Sequence, residues 1–214
     1  MPLQSPTSDF SPFLLAESLI QMDPENSLPR DLPGRYGRTI RDLERLLIAV
    51  EASSVVAGGW AVWRHGYAGR VTEDVDIVIA ADKIDNLKQK ALVFGFEFYE
   101  SSTGRWPKLC HIATRIDVDV LPESGIPGTP TRPAPVPIGH PQRYQAVAGT
   151  LNYISLHGLI ELKLGAGRAK DIADLIELIK CHPTELQPIL DHLATLHPNY
   201  VTHFQTLIQQ AADE

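Results

Sequence analysis

Three pairs of residues in this chain have the types and the spacing for phosphate chemistry: Gly58-Gly59, Asp74 with Asp76, and Asp117 with Asp119. On an extended segment, residues i and i+2 share a face and lie roughly 6.6 Å apart along the chain. Two carboxylates so placed can hold Mg²⁺ against the phosphates of a nucleotide. Adjacent glycines after an apolar strand let the backbone approach a phosphate closely, and the helix start that follows aims free N–H groups at it. From Val55 to Ile79 the chain reads apolar strand, Gly58-Gly59, short helix, then a second strand opening on Asp74 and Asp76. That combination points to nucleotidyl transfer.

Asp117 and Asp119 alternate with Ile116, Val118 and Val120, so the two acids share one face of a strand while the apolar residues pack on the other. One of them is expected to supply a third carboxylate beside Asp74 and Asp76, able to bridge a second metal and to accept the proton of an attacking hydroxyl. The spacing does not say which. Lys163 lies near the end of a helix and before a glycine turn, in reach of triphosphate oxygens and of the charge that develops as pyrophosphate leaves. Arg168 and Lys170 read either as further phosphate contacts or as partners of Asp171 and Asp174 across the helix junction. Acids in a helix's first turn are favourable there without any function. Arg70 and Thr72, just ahead of Asp74, read as triphosphate contacts or as loop ion-pair residues. His65 and Gly66 read as a helix C-terminal turn, with a catalytic His65 as the weaker alternative, and Trp60 and Trp63 as packing. His182, His192, His197 and His203 show no zinc spacing.

The elements that must position these residues follow from periodicity. Ile40, Leu43, Leu46, Leu47 and Val50 predict a helix from Thr39, and Ser53 to Ala57 the first core strand. Trp60–His65 reads as a short helix and Val75–Ala80 as the next strand. Asp82 is expected to cap a helix carrying Ile84, Leu87, Ala91 and Leu92 on one face and ending at Gly95. Strands are expected at 96–99, 109–114 and 115–121, with Gly104 and Pro107 as breakers. Residues 122–141 hold seven of the 17 prolines and read as an irregular connection. Beyond it the pattern is helical, with Ser155 capping a helix through Leu164, a second over 170–180, and further starts at Thr184 and Pro198-Asn199. The organisation expected is an N-terminal arm (1–38), an α/β core with a mixed sheet (39–150) and a C-terminal helical region (151–214).

Composition sets outer limits. A chain of 214 residues with 43% hydrophobic and 21% charged residues is ordinary for a globular protein. No apolar run approaches the roughly 20 residues of a membrane span, and no basic n-region precedes an apolar h-region, so no membrane partner is expected. Cys110 and Cys181 lack metal-ligand spacing, and a reduced cytoplasmic protein is expected. A net charge of −7 argues against broad binding to duplex DNA, but leaves room for a local basic pocket.

The motif set resembles the polymerase-β-like nucleotidyltransferase superfamily. The order Gly-Gly-Trp-Ala-Val (58–62), His-Gly (65–66), Arg70, Thr72, Asp74-Val75-Asp76, a later Ile-Asp-Val strand and the Leu-Lys-Leu…Arg-x-Lys-Asp-x-x-Asp tail carries the resemblance over roughly residues 40–180. Within it the chain looks most like the abortive-infection nucleotidyltransferase toxins of type IV toxin–antitoxin systems. The resemblance implies a small mixed sheet flanked by helices, an NTP as donor, and two divalent metal ions, Mg²⁺ or Mn²⁺, on Asp74, Asp76 and Asp117 or Asp119. It implies phosphate contacts at Gly58 and Gly59, an RNA or protein acceptor, and a possible cognate antitoxin. Much of the superfamily has Gly-Ser where this chain has Gly58-Gly59. The Gly-Gly-Trp form is also similar to lincosamide and some aminoglycoside nucleotidyltransferases, which implies a small-molecule acceptor as the alternative. A binding module that keeps this fold without turnover is a further alternative.

Overall fold

A computed structural model describes residues 34–67, 69, 72–100, 106–147 and 151–214. Helix α1 (Gly34–Ala49) buries Tyr36, Ile40, Leu43, Leu46 and Leu47 along one stripe. It starts ahead of Thr39 because Tyr36 extends that stripe by a turn, its hydroxyl donating to the carbonyls of Thr72 and Glu73 at 3.4 and 3.3 Å. Strand β1 (Ser54–Ala57) leads directly into the short helix α2 (Gly58–Arg64), and the chain returns as β2 (Val75–Ile79), antiparallel to β1.

Helix α3 (Ile84–Lys90) lies between two 3₁₀ turns, Ala81–Lys83 and Ala91–Phe94, and ends at Gly95 with φ 83°. Asp82 does not cap it. The 3₁₀ turn holds Asp82 within itself and leaves the helix start at Ile84 with no side-chain cap bond. Leu92 is likewise 70% exposed, because the tighter 3₁₀ turn rotates it off the face that carries Leu87 and Ala91.

Strands β3 (Phe96–Glu100), β4 (Pro107–His111) and β5 (Asp117–Pro122) complete one half of the sheet. Gly104 lies outside the described residues. Pro107 opens β4 rather than breaking it, since the ladder to β5 begins only at Lys108. Strand β4 also stops at His111, short of Thr114, because residues 112–115 form the turn into β5, with Arg115 at φ 58°.

The 122–141 segment carries only a small hairpin, β6 (Gly128–Thr129) with β7 (Arg132–Pro133), and then a 3₁₀ turn at Pro141–Tyr144. The helical expectation for everything after it needs correction. Strands β8 (Gln145–Val147) and β9 (Tyr153–Ile154) intervene, with β9 parallel to β1 through Val56↔Tyr153. Strands this short have no periodicity to detect. Among the described residues the sheet therefore has seven strands, in the order β3-β4-β5-β2-β1-β9-β8. This is a mixed α/β architecture, with the sheet flanked by helices.

Four helices follow: α4 (Leu156–Ala166), α5 (Ala169–Cys181), α6 (Leu186–Ala194) and α7 (Pro198–Asp213). Ser155 caps α4, its hydroxyl accepting from Gly158 N at 3.2 Å. Helix α6 starts after Glu185 rather than at Thr184, without a side-chain cap. Helix α4 is apolar on more than one side because it joins two cores. Leu159 and Leu162 pack with the sheet, whereas Ile160 and Leu164 pack with Leu175, Ile189, Leu193 and Phe204 of the later helices. Among the described residues no helix is long and apolar enough to cross a membrane. Cys110 is buried, Cys181 is exposed, and neither is in a disulfide.

Candidate active site

The acids meet because β2 and β5 are adjacent and parallel. The register sets Asp76 directly beside Asp119, with Asp74 just before β2. Asp117 is one step further back, opposite Cys110, and accepts the Tyr99 hydroxyl at 2.9 Å. Burial, with the bond to Asp117, pushes the Tyr99 phenol up to about 12. Asp117 and Asp119 share a face, but only Asp119 is level with Asp76.

Gly58 follows Ala57, the β1 partner of Asp76, and turns left-handed at φ 60°. A Cβ there would lie 1.7 Å from Asp76 Oδ2. At Gly59 it would lie 2.6 Å from Thr72 Oγ1. The two glycines thus clear space for the chain's own carboxylate and hydroxyl. Thr72 is buried and donates to Asp74 Oδ1 at 3.1 Å, which fixes that acid's orientation. Burial, then the charges of Asp74 and Asp119, push the Asp76 carboxyl up to about 6, with Lys163 and Arg168 offsetting part of the effect.

Asp119 has a second neighbour. Lys108, its partner across β4, places Nζ 2.6 Å from Asp119 Oδ1. The contact is an ion pair whose angle is not that of a hydrogen bond, since Oδ1 has no hydrogen-bond partner. Burial pulls the Lys108 ammonium down, but Asp119, Asp117 and Asp74 outweigh it and leave it above its ordinary value. Among the described residues no three of His, Cys, Asp or Glu stand in metal-holding geometry. Hard carboxylate oxygens still suit Mg²⁺ or Mn²⁺, and Asp76 stands beside two like charges, Asp74 and Asp119.

At the end of α4, Lys163 is 4% exposed and donates to Asp171 Oδ1 at 3.3 Å and Asp174 Oδ2 at 2.5 Å. Arg168 binds Asp171 through Nε at 2.7 Å and Nη2 at 3.1 Å. Burial pushes the Asp171 carboxyl up, but the Arg168 bonds and the Lys163 charge hold it below the usual range. Of the two readings of this cluster, ion pairing across the helix junction is the one the contacts display, with Arg168 rather than the exposed Lys170 as the partner. Asp171 and Asp174 are buried ion-pair members, not solvated first-turn acids.

A cavity of about 160 Å³ lies between the glycine turn and the Lys163–Arg168 cluster. Gly58, Lys163 and Arg168 line one part, and Trp106, Pro127 and Thr129 another. The proline-rich segment therefore walls the space next to the glycine turn. Trp106 and Lys108 were not singled out by spacing. The signal for Lys108 was the β4–β5 hairpin: a turn at 112–115 dictates Lys108 opposite Asp119. His65 is structural, its Nε2 lying 2.8 Å from the Ile154 carbonyl, and burial lowers its pKa. Trp60 and Trp63 are buried edge to face at 4.6 Å. Arg70 and the N-terminal arm through residue 33 lie outside the described residues.

No family model matches the chain, and no curated protein matches it. Among solved structures it is similar to an antigenic nucleotidyltransferase-like protein from Paracoccidioides brasiliensis, at 16% identity and TM-score 0.41, over 78% of this chain and 91% of that one. It is also similar to the Cid1 poly(U) polymerase, at 14% identity and TM-score 0.34, over 80% of this chain and 47% of that one. Both likenesses are remote, and what the site does is decided by its own residues.

Proposed function

We propose that this chain is a polymerase-β-like nucleotidyltransferase that moves a nucleoside monophosphate from an NTP to an acceptor hydroxyl. The observation that carries the reading is the register of Asp76 beside Asp119, with Asp74 two residues before it and Gly58 pressed against the Asp76 carboxylate. Asp119, paired with Lys108, orients the acceptor hydroxyl and takes its proton as it attacks the α-phosphorus in line. Asp74, held by Thr72, and Asp76 form the donor pair for Mg²⁺ or Mn²⁺. Bound there, the cation would neutralise triphosphate charge and favour departure of pyrophosphate. Lys163 uses two of its three N–H bonds on Asp171 and Asp174 and lines the adjoining cavity, so its role is to set the positive side of that space. Arg168 lines the same space, and Gly59, packed against Thr72, and Arg70 are proposed as further triphosphate contacts.

For the acceptor we propose RNA or protein, in a toxin-like role with a cognate antitoxin. A small-molecule hydroxyl is the second reading, favoured by the Gly58-Gly59-Trp60 form. The test is label transfer from each α-labelled NTP, with Mg²⁺ or Mn²⁺, to total RNA, lysate protein and aminated sugars. Wild type should label one acceptor class, and Asp74→Ala and Asp76→Ala should each lose about 100-fold or more. No transfer by the wild type, or equal transfer by Asp74→Ala, overturns the reading.

A further inference from the structure

Lys108 puts a positive charge against the third carboxylate, Asp119. Its backbone is held on both sides, by Tyr99 of β3 and Asp119 of β5, and its ammonium lies 2.6 Å from Asp119 Oδ1. The side chain is 28% exposed and that of Asp119 is 23% exposed, so the pair is only partly open to water. Among the described residues, the other cations that act on these acids are Lys163 and Arg168. Lys163 and Arg168 are matched by Asp171 and Asp174, two charges against two.

We propose that Lys108 replaces one divalent cation at the third carboxylate, so that the NTP-bound site holds a single metal ion, on Asp74 and Asp76. The inference rests on the nucleotidyl-transfer reading of this site. Charge matching supports it. Lys108 offsets one carboxylate charge of the three acids, so the carboxylates call for less added cation charge than three unpaired acids would. Proximity supports it too. A metal ion needs the carboxylate oxygen at about 2.1 Å, and an ammonium already on Oδ1 would stand within a few ångströms of it and repel it. Lys108 is in this sense a positioning residue, acting through Asp119.

The experiment is electron paramagnetic resonance of Mn²⁺ bound to the full chain with a saturating non-hydrolysable NTP analogue, with bound metal counted by equilibrium dialysis. Two Mn²⁺ ions about 3.5–4 Å apart, the spacing of two-metal sites, give an exchange-coupled spectrum, and a single ion gives an isolated one. Wild type and Lys108→Arg should bind one uncoupled Mn²⁺ per chain. Lys108→Met and Lys108→Gln, each checked for folding by circular dichroism, should bind two with a coupled spectrum. A coupled pair in the wild type overturns the inference while leaving nucleotidyl transfer standing. So does one uncoupled ion in both charge-removing variants when folded. No Mn²⁺ bound by the wild type with the analogue overturns the nucleotidyl-transfer reading and this inference together.

Discussion

At Asp76, burial and two like charges act on one carboxyl, and the consequence is a pH dependence with a definite sign. The folded carboxyl titrates at about 6, against 3.8 for an unperturbed one. The native state therefore binds this proton more tightly than the unfolded chain. The associated stability is fully present below about pH 4 and is lost as the pH rises through about 6, a change on the order of 3 kcal/mol. Burial contributes most to this loss, Asp74 and Asp119 add to it, and Lys163 and Arg168 moderate it. Urea unfolding in EDTA should show stability falling over that window, and Asp76→Asn should flatten the slope. Adding Mg²⁺ or Mn²⁺ at pH 7 should restore stability to the wild type and not to the variant. A wild-type profile that rises between pH 4 and 6 in EDTA would contradict this account.

The α4–α5 junction depends on two kinds of contact whose strengths differ. Ser155 supplies a neutral cap at the start of α4, and Ser155→Ala should cost about 1 kcal/mol in urea unfolding. Lys163 at the other end supplies the ammonium that faces two buried carboxylates. Lys163→Met would leave Asp174 without that partner and Asp171 with Arg168 alone, at a cost of about 3–5 kcal/mol. Asp171→Asn and Asp174→Asn added to Lys163→Met should recover much of the loss, because the stranded charges then vanish. If Lys163→Met weakens NTP binding with no change in unfolding free energy, the residue is a phosphate ligand first and a junction residue second. Sequence spacing alone admitted both roles. Burial is what separates them.

At the scale of the whole molecule, α4 joins the sheet core to the helical core, and Glu161 on it is the polar link. It is buried and accepts from Tyr144 Oη at 2.9 Å, Arg143 Nη2 at 3.1 Å and His192 Nε2 at 3.2 Å. Two of these partners precede the sheet's β8 edge and the third sits on α6. Glu161→Ala should therefore cost about 3–5 kcal/mol and unfold both parts together, which near- and far-UV circular dichroism melts would check by their coincidence. The sequence by itself determined the α/β class, the main helices, β1, β2 and β5, and the two acid pairs. Those follow from local periodicity, and the glycine turn and the Ser155 cap follow from local backbone needs. It did not determine β8 and β9, too short to carry a period, or the 3₁₀ turns that displaced Asp82 and Leu92. Nor did it decide between Asp117 and Asp119, which local alternation makes equivalent. The parallel pairing of β2 with β5 separates them, by bringing Asp119 level with Asp76 while Asp117 turns to Tyr99. Lys108 joined the site for the same reason. Which side chains face each other across strands is a property of register, and register is set by the packed sheet.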